Sequence, residues 1–145
     1  DYIRRQRQMC IRDRNWLGAR RPADQVIIAQ GDSGAMVLEY ALDSRPPELK
    51  ALVLVSSFLD FPVEDAEVPA GDRMPLPVLD IYAQRDYPDV VSNAQARRDS
   101  AARDTRSNYQ QRVVDGATSG FFGLEADLLA RISAWLATNV TDNPN

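Results

Sequence analysis

Ser33 lies in a short turn whose residue types could support nucleophilic chemistry. The turn reads Gly31-Asp32-Ser33-Gly34-Ala35, between the apolar run VIIA at 26–29 and the helical pattern AMVLEYA at 35–41. A serine among small residues on a tight strand-to-helix turn is held with its hydroxyl exposed, as in a nucleophile elbow. The turn therefore makes Ser33 the first candidate nucleophile.

The chain lacks the base that such a nucleophile needs. A serine hydroxyl attacks only when a neighbouring group takes its proton, and imidazole is the usual base. The 145 residues contain no histidine, and the single cysteine is Cys10. Two aspartates stand out as candidate acids, because Asp80 interrupts an apolar run and Asp86 closes it.

Length and composition indicate one soluble globular domain. Hydrophobic residues make up 44% of the chain and charged residues 26%, and the net charge is −4. An acidic balance without a basic stripe argues against nucleic acid as a partner. No apolar run approaches the ~20 residues that a transmembrane segment needs. No secretory signal is visible, and the sequence leaves both a periplasmic and a cytoplasmic location open.

The first fourteen residues stand apart from the rest. They are rich in arginine, and residues 4–14 match the translation of a common sequencing-library adapter at every position. We therefore predict that residues 1–14 are adapter-derived, that residues 15–138 form a single domain and that residues 139–145 are a polar tail. On this interpretation the native sequence starts abruptly at Asn15, as the C-terminal part of a longer protein would.

Apolar runs and turn residues alternate along the chain. We predict buried strands at 25–30, 51–57, 77–83 and 109–114. Helices are predicted at about 34–44, 91–106 and 124–138, and Trp16 and Leu17 are interpreted as the end of another helix with Gly18 as its C-cap. Strands that are apolar on both faces and alternate with helices predict a three-layer α/β fold, a parallel sheet of about four strands covered on both faces.

This order of elements resembles the C-terminal half of the α/β-hydrolase superfamily. The segments PVLDIYAQRD at 77–86 and DGATSGFFGLEADLLARISAWL at 115–136 are most similar to an uncharacterised bacterial branch of it. The resemblance implies a partial α/β-hydrolase fold with a triad in the order nucleophile, acid, histidine. Aligned without gaps on the helix AMVLEYA, the nucleophile position falls on Gly31, and we favour this register. A second register places the nucleophile on Ser33 and also has small residues at 31 and 35, but it moves the elbow two residues into the helix. The acid position falls on Asp86 and the histidine position on Ser119, so the implied triad is degenerate.

Three functional hypotheses follow. The favoured one is a non-catalytic pseudo-hydrolase that binds a small molecule or a protein partner. The alternative is a serine hydrolase or esterase that uses Ser33 and Asp86 with an unconventional base. The third is an enzyme of different chemistry with Asp80 or Asp86 as its acid or base. A chymotrypsin-type protease, which the letters GDSG also suggest, is set aside because it needs a histidine and an all-β barrel.

Each candidate residue also has a structural interpretation. Asp32 and Ser33 are good turn and N-cap residues, and this interpretation is the stronger one for them. Asp86 has the interpretation of a loop acid that caps a turn or pairs with Arg85 or another arginine. Asp80 is interpreted either as a strand-end or edge residue or as a buried functional carboxylate.

Two loops are candidate ligand sites. Thr118 and Ser119, flanked by glycines, are predicted at the carboxyl edge of the sheet, where such folds bind small ligands. The connection at 58–76 carries scattered carboxylates, at Asp60, Glu64, Asp65 and Glu67. They lack the spacing of a calcium-binding loop, so we predict a solvated loop there, with no metal and no cofactor.

Overall fold

The computed structural model describes residues 2–20, 24–58, 76–103 and 108–140. In these residues helices and strands alternate. The elements are α1 (Tyr2–Arg20), β1 (Gln25–Gln30), α2 (Ser33–Ser44), β2 (Leu49–Val55), β3 (Val78–Arg85), α3 (Pro88–Arg103), β4 (Tyr109–Thr118) and α4 (Glu125–Asn139). The carboxylates at Asp60, Glu64, Asp65 and Glu67, the end of the predicted third helix and the residues after 140 lie outside the described residues.

The described strands form one parallel sheet in the order β1-β2-β3-β4. The sheet places every strand next to its neighbour in the chain. Because all strands run in the same direction, their carboxyl ends meet at one edge. The turns that follow the four strands therefore lie along that edge, which is where folds of this kind bind ligands.

The alternation of side chains along β2 explains the layers. Leu52 and Leu54 pack in one core cluster with Val37 and Leu38 of α2. The opposite face contributes the second cluster, with Ala51, Val53, Val55, Ile132 and Trp135 among its members. Since the two clusters lie on opposite faces of the sheet, α2 and α4 cover different sides. The predicted three-layer α/β fold is confirmed.

Helix α3 lies over β3 and the start of β4. Val90 and Ala94 of the helix pack with Tyr82 of β3 and Val113 of β4. The helix begins at Pro88, earlier than the predicted residue 91, because proline is well tolerated in the first turn of a helix. No described helix contains an apolar segment long enough to cross a membrane.

The predicted C-cap at Gly18 is wrong. Helix α1 continues through Gly18 and ends at Arg20. Alanine and arginine at positions 19 and 20 are strong helix formers, and a single glycine costs only about 1 kcal/mol within a helix. The helix also extends back to Tyr2, so it crosses the predicted boundary at residue 14.

Two predicted strand ends are also wrong, and backbone conformation explains both. Strand β2 ends at Val55, because Ser56 adopts a left-handed φ of 48° that takes the chain out of the strand. Strand β4 continues to Thr118 instead of ending at 114. Its register with β3 shifts between Ala83 and Arg85, and Gly116 with φ of 75° lies in the shifted part. A glycine at positive φ permits such a bulge without ending the pairing.

Candidate functional site

The turn between β1 and α2 has the sharp geometry that its sequence predicts. Gly31 follows the strand with φ of 61°, its N–H donates to the carbonyl of Val55 over 3.0 Å, and its own carbonyl accepts from the N–H of Gly34. Left-handed φ is costly for residues with a side chain and cheap for glycine. The position of the turn that needs a left-handed backbone is therefore occupied by Gly31, and Ser33 is the first residue of α2.

Gly34 allows α2 to approach β2 closely. A β-carbon at this position would lie 2.2 Å from the hydroxyl oxygen of Ser57, a distance at which one of the two residues must move. A β-carbon at Gly31 would meet nothing within 4 Å. The close contact of α2 with the segment after β2 thus requires a small residue at 34. A side chain at position 31 would meet no other atom but would have to adopt a left-handed backbone.

Asp32 does not cap α2. Its side chain makes no capping hydrogen bond, because its backbone is helical, with φ of −63° and ψ of −24°. An N-cap residue has an extended backbone, which lets its side chain reach back to the first turn of the helix. The capping interpretation of Asp32 is therefore wrong. Ser33 is half-buried and lines a groove of about 410 Å³ between α1, β1 and α2.

Asp86 is engaged by uncharged donors at the end of β3. The hydroxyl of Ser56 donates to its Oδ2 over 2.5 Å, and the N–H of Ala83 donates to the same oxygen over 2.9 Å. The N–H of Tyr87 donates to Oδ1 over 2.9 Å. Both carboxylate oxygens therefore have partners, and those partners are a hydroxyl and two backbone amides.

The predicted pair of Asp86 with Arg85 is not among these contacts. Arg85 turns away and donates from Nη2 to the carbonyl of Gly116 over 2.7 Å. The N–H of Gly116 donates to the side-chain carbonyl of Gln84 over 2.8 Å. The side chains of Gln84 and Arg85 in β3 thus bond to the N–H and the carbonyl of Gly116 in the bulge of β4. These bonds position the loop that carries Ser119.

The three triad-equivalent positions lie at the same edge of the sheet but do not form a hydrogen-bonded unit. Gly31 follows β1, Asp86 follows β3 and Ser119 follows β4. Within the described parts of the chain, no hydrogen bond joins the side chains of Ser33, Asp86 and Ser119. The partner that Asp86 does have, Ser56, was missed by sequence reasoning. The available signal was its position: Ser56 follows one buried strand, and Asp86 follows the next strand along the chain.

Asp80 lies in a second polar cluster, which is buried under α3. Its exposed fraction is 0%, and its Oδ2 accepts from Nε of Arg97 over 2.7 Å. The hydroxyl of Tyr109 donates to the same oxygen, and the side-chain amide of Gln111 donates to it over 3.3 Å and to the carbonyl of Ala94 over 2.9 Å. Asp80 is thus a central residue of β3 and not the strand-end or edge residue that one interpretation predicted.

The electrostatics of this cluster favour a charged Arg97 and a neutral Tyr109. Burial alone would lower the pKa of Arg97, but the adjacent carboxylate of Asp80 raises it above its ordinary value. Burial and then the charge of Asp80 raise the pKa of the Tyr109 phenol. Sequence reasoning singled out Asp80 and missed its partners, because no spacing pattern connects it to Arg97 or Tyr109.

No group of three or more metal-ligating side chains (His, Cys, Asp or Glu) occurs in the described part of the chain. Among the described residues, the candidate chemistry of the carboxyl edge is that of hydroxyls, of the carboxylates of Asp32 and Asp86 and of backbone amides. Such a set can bind a polar ligand by hydrogen bonds. It includes no group that takes a proton from serine as imidazole does.

Comparison with known proteins agrees with the fold. A solved structure described as a predicted CIB-like hydrolase from Thermoplasma acidophilum matches with a TM-score of 0.60 and 17% sequence identity. The match covers 95% of this chain and 60% of that one, so the chain spans about three fifths of the length of that hydrolase. A search of curated proteins finds no match. Residues 12–138 match a family described as "Protein of unknown function (DUF3530)". Because the match spans most of the chain, this protein is a member of the DUF3530 family.

Proposed function

We propose that this protein is a pseudo-hydrolase, which binds a small molecule at the carboxyl edge of its sheet and lacks the proton-transfer chemistry of a serine hydrolase. The observation that carries the proposal is the environment of Asp86. At the position of the triad acid, its carboxylate accepts from Ser56 and from two backbone amides. A triad acid instead accepts from the ring N–H of a histidine, which it orients.

The residues at the other two positions support the same conclusion. Position 31, which has the left-handed backbone of the turn, is a glycine and has no nucleophilic atom. Position 119 is a serine, and the chain contains no histidine. A serine hydroxyl is a very weak base, so it does not replace imidazole near neutral pH. Neither the nucleophile nor the base of the triad is present in its place.

The binding role is supported by the polar groups that remain. The carboxylate of Asp86 and the hydroxyl of Ser119 are partly exposed and belong to loops that follow two neighbouring strands. Ligands of open α/β sheets bind outside the carboxyl ends of the strands. An edge with polar groups and without a paired nucleophile and base is suited to hold a ligand without converting it.

The test of the missing chemistry uses a fluorophosphonate probe and a panel of p-nitrophenyl esters on the purified chain. We expect labelling and hydrolysis at the level of heat-denatured protein. Ser33→Ala removes the candidate serine, and Ser92→Ala, an exposed serine of α3, is the matched control. Labelling that disappears in Ser33→Ala and persists in Ser92→Ala would establish the alternative function, a serine hydrolase that uses Ser33.

A gain-of-function arm tests which residue occupies the nucleophile position. Ser119→His restores a base, and Gly31→Ser adds a nucleophile where a side chain has space. We expect the double variant Gly31→Ser with Ser119→His to hydrolyse esters faster than either single variant. If Ser119→His alone becomes active, Ser33 is the nucleophile and the assignment to Gly31 is wrong.

A further inference from the structure

Exposed aromatic side chains gather at the carboxyl edge of the sheet. Phe58, Tyr87 and Phe122 are 40%, 53% and 85% exposed, and they follow β2, β3 and β4 respectively. Among the described residues outside α1, these are all of the exposed aromatic residues. Exposing a large aromatic surface to water is unfavourable, and a local concentration of such surface marks a binding site.

Two of these rings lie close in sequence to Asp86 and its partner Ser56. Tyr87 follows Asp86 directly, and Phe58 lies two residues after Ser56. Their ring centroids are 5.6 Å apart with an interplanar angle of 33°. At this distance the rings contact one another, so they form one continuous surface and leave no space between them for a ligand atom.

The third ring is held by its loop. The ring of Phe122 lies over Gly120, where a β-carbon would come within 2.4 Å of it. Next to it, Phe121 is 2% exposed, packs into the α4-side core and has a left-handed φ of 53°. A non-glycine residue in this conformation is strained, and such strain persists where the surroundings enforce it. The buried Phe121 thus anchors the loop that presents Phe122 to solvent.

The chemistry of this edge selects among ligand classes. Aromatic surfaces bind the apolar C–H faces of a ligand, whereas the partly exposed carboxylate of Asp86 and hydroxyl of Ser119 pair with donors and acceptors at its rim. A purely apolar ligand would remove the carboxylate of Asp86 from water without binding it, and an anion is repelled by Asp86. A quaternary ammonium needs rings arranged around it, which the contact between Phe58 and Tyr87 does not provide.

From these observations we infer that the carboxyl edge binds an oligosaccharide, whose pyranose rings stack on Phe122 and on the Phe58–Tyr87 pair while their hydroxyls bond to Asp86 and Ser119. Pyranose rings combine apolar C–H faces with a rim of hydroxyl donors and acceptors, as this surface requires. The inference rests on the proposed function, since it assigns the ligand class of the same edge.

The test measures binding of soluble hexasaccharides (chitohexaose, cellohexaose and maltohexaose) by saturation-transfer difference NMR and calorimetry. We expect at least one to bind, with saturation transferred mainly to ring C–H protons. Phe122→Ala and Tyr87→Ala should each weaken the affinity about tenfold, the order of one aromatic contact. Phe122→Trp should retain binding. Leu129→Ala removes an exposed apolar side chain of α4, 61% exposed, and should leave the affinity unchanged.

The outcomes separate the ligand class from the proposed function. If none of the hexasaccharides binds, or if Leu129→Ala weakens binding as much as Phe122→Ala, the saccharide assignment is wrong. Binding of tetramethylammonium or of a proline-rich peptide in place of the sugars would also overturn it. None of these results would show that the protein is a hydrolase, so the proposed function is tested separately. Conversely, fluorophosphonate labelling of Ser33 overturns the proposed function whatever sugar binds. Circular dichroism of each variant verifies that these exposed substitutions leave the fold intact.

Discussion

Asp80 and Asp86 belong to the same stretch of chain, six residues apart, and meet opposite environments. Asp80 is in the middle of β3, fully buried under α3 and paired with the guanidinium of Arg97. Asp86 follows the same strand at the carboxyl edge, is partly exposed, and accepts from a hydroxyl and two backbone amides. One carboxylate has a buried cation for a partner, and the other has uncharged donors and access to solvent.

The difference shows how burial determines the role of a carboxylate. A charge removed from water needs an opposite charge and further hydrogen bonds, because its desolvation is expensive. The cluster around Asp80 supplies both and joins α3 to β3 and β4. At the edge, water and neutral donors suffice, so Asp86 remains available to a ligand. The buried aspartate is therefore structural, and the edge aspartate belongs to the candidate site.

The largest expected effect is at the buried pair. Arg97→Met should reduce the free energy of unfolding by about 3–5 kcal/mol, because it leaves Asp80 buried without its cation. Arg131→Met, at an exposed arginine of α4 that pairs with Asp127 one turn earlier, should change it by less than about 0.5 kcal/mol. Urea denaturation followed by circular dichroism measures both. The double variant Asp80→Leu with Arg97→Met should be more stable than Arg97→Met alone. Equal effects of Arg97→Met and Arg131→Met would contradict the structural role.

An intermediate effect is expected at Tyr109, whose hydroxyl donates to Asp80. Tyr109→Phe should reduce the free energy of unfolding by about 1–3 kcal/mol near pH 7. Burial first, and then Asp80, raise the pKa of the phenol in the folded state above its ordinary value of 10.0. The unfolded chain therefore loses this proton first, and the associated stability is complete below pH ~10 and declines above it.

The alkaline decline distinguishes this hydroxyl from a mere packing contact. Stability curves of the wild type and of Tyr109→Phe, measured by urea denaturation from neutral to alkaline pH, should converge as the pH rises above 10. The variant should still lose some stability at alkaline pH, because burial also raises the pKa of Tyr40. Tyr87→Phe, at an exposed tyrosine, is the control and should run parallel to the wild type. Parallel curves for Tyr109→Phe would refute the linkage.

The smallest effect is expected at the edge. Asp86→Asn and Ser56→Ala should each reduce the free energy of unfolding by about 1 kcal/mol, the net contribution of an ordinary hydrogen bond. Urea denaturation of Asp86→Asn and of Asp80→Asn, the same substitution at the buried aspartate, compares the two losses of the free energy of unfolding. We expect Asp80→Asn to cost clearly more than Asp86→Asn. If the two substitutions cost the same, burial does not separate the roles of these aspartates.

Sequence reasoning was accurate where a residue pattern has one structural solution. Continuous apolar runs such as ALVLV at 51–55 fit a strand covered on both faces, and the alternation with helices led to the parallel sheet. It was inaccurate at Gly18, Ser56 and Gly116. At Ser56 and Gly116 the strand end depends on backbone conformation and on contacts with distant residues, whereas at Gly18 the helix continues because the residues after it favour a helix. Gly116, for example, is held by Gln84 and Arg85 across the sheet.

By itself the sequence determined the class of fold, the edge of the sheet at which polar loops gather, and the absence of histidine from the chain. These properties depend on residue type and on periods of two and 3.6 residues, which are local. Only the tertiary structure decided what each aspartate does, because that depends on neighbours from other elements. It paired Asp80 with Arg97 across 17 residues and Asp86 with Ser56 across 30, and it gathered exposed rings of three loops at one edge.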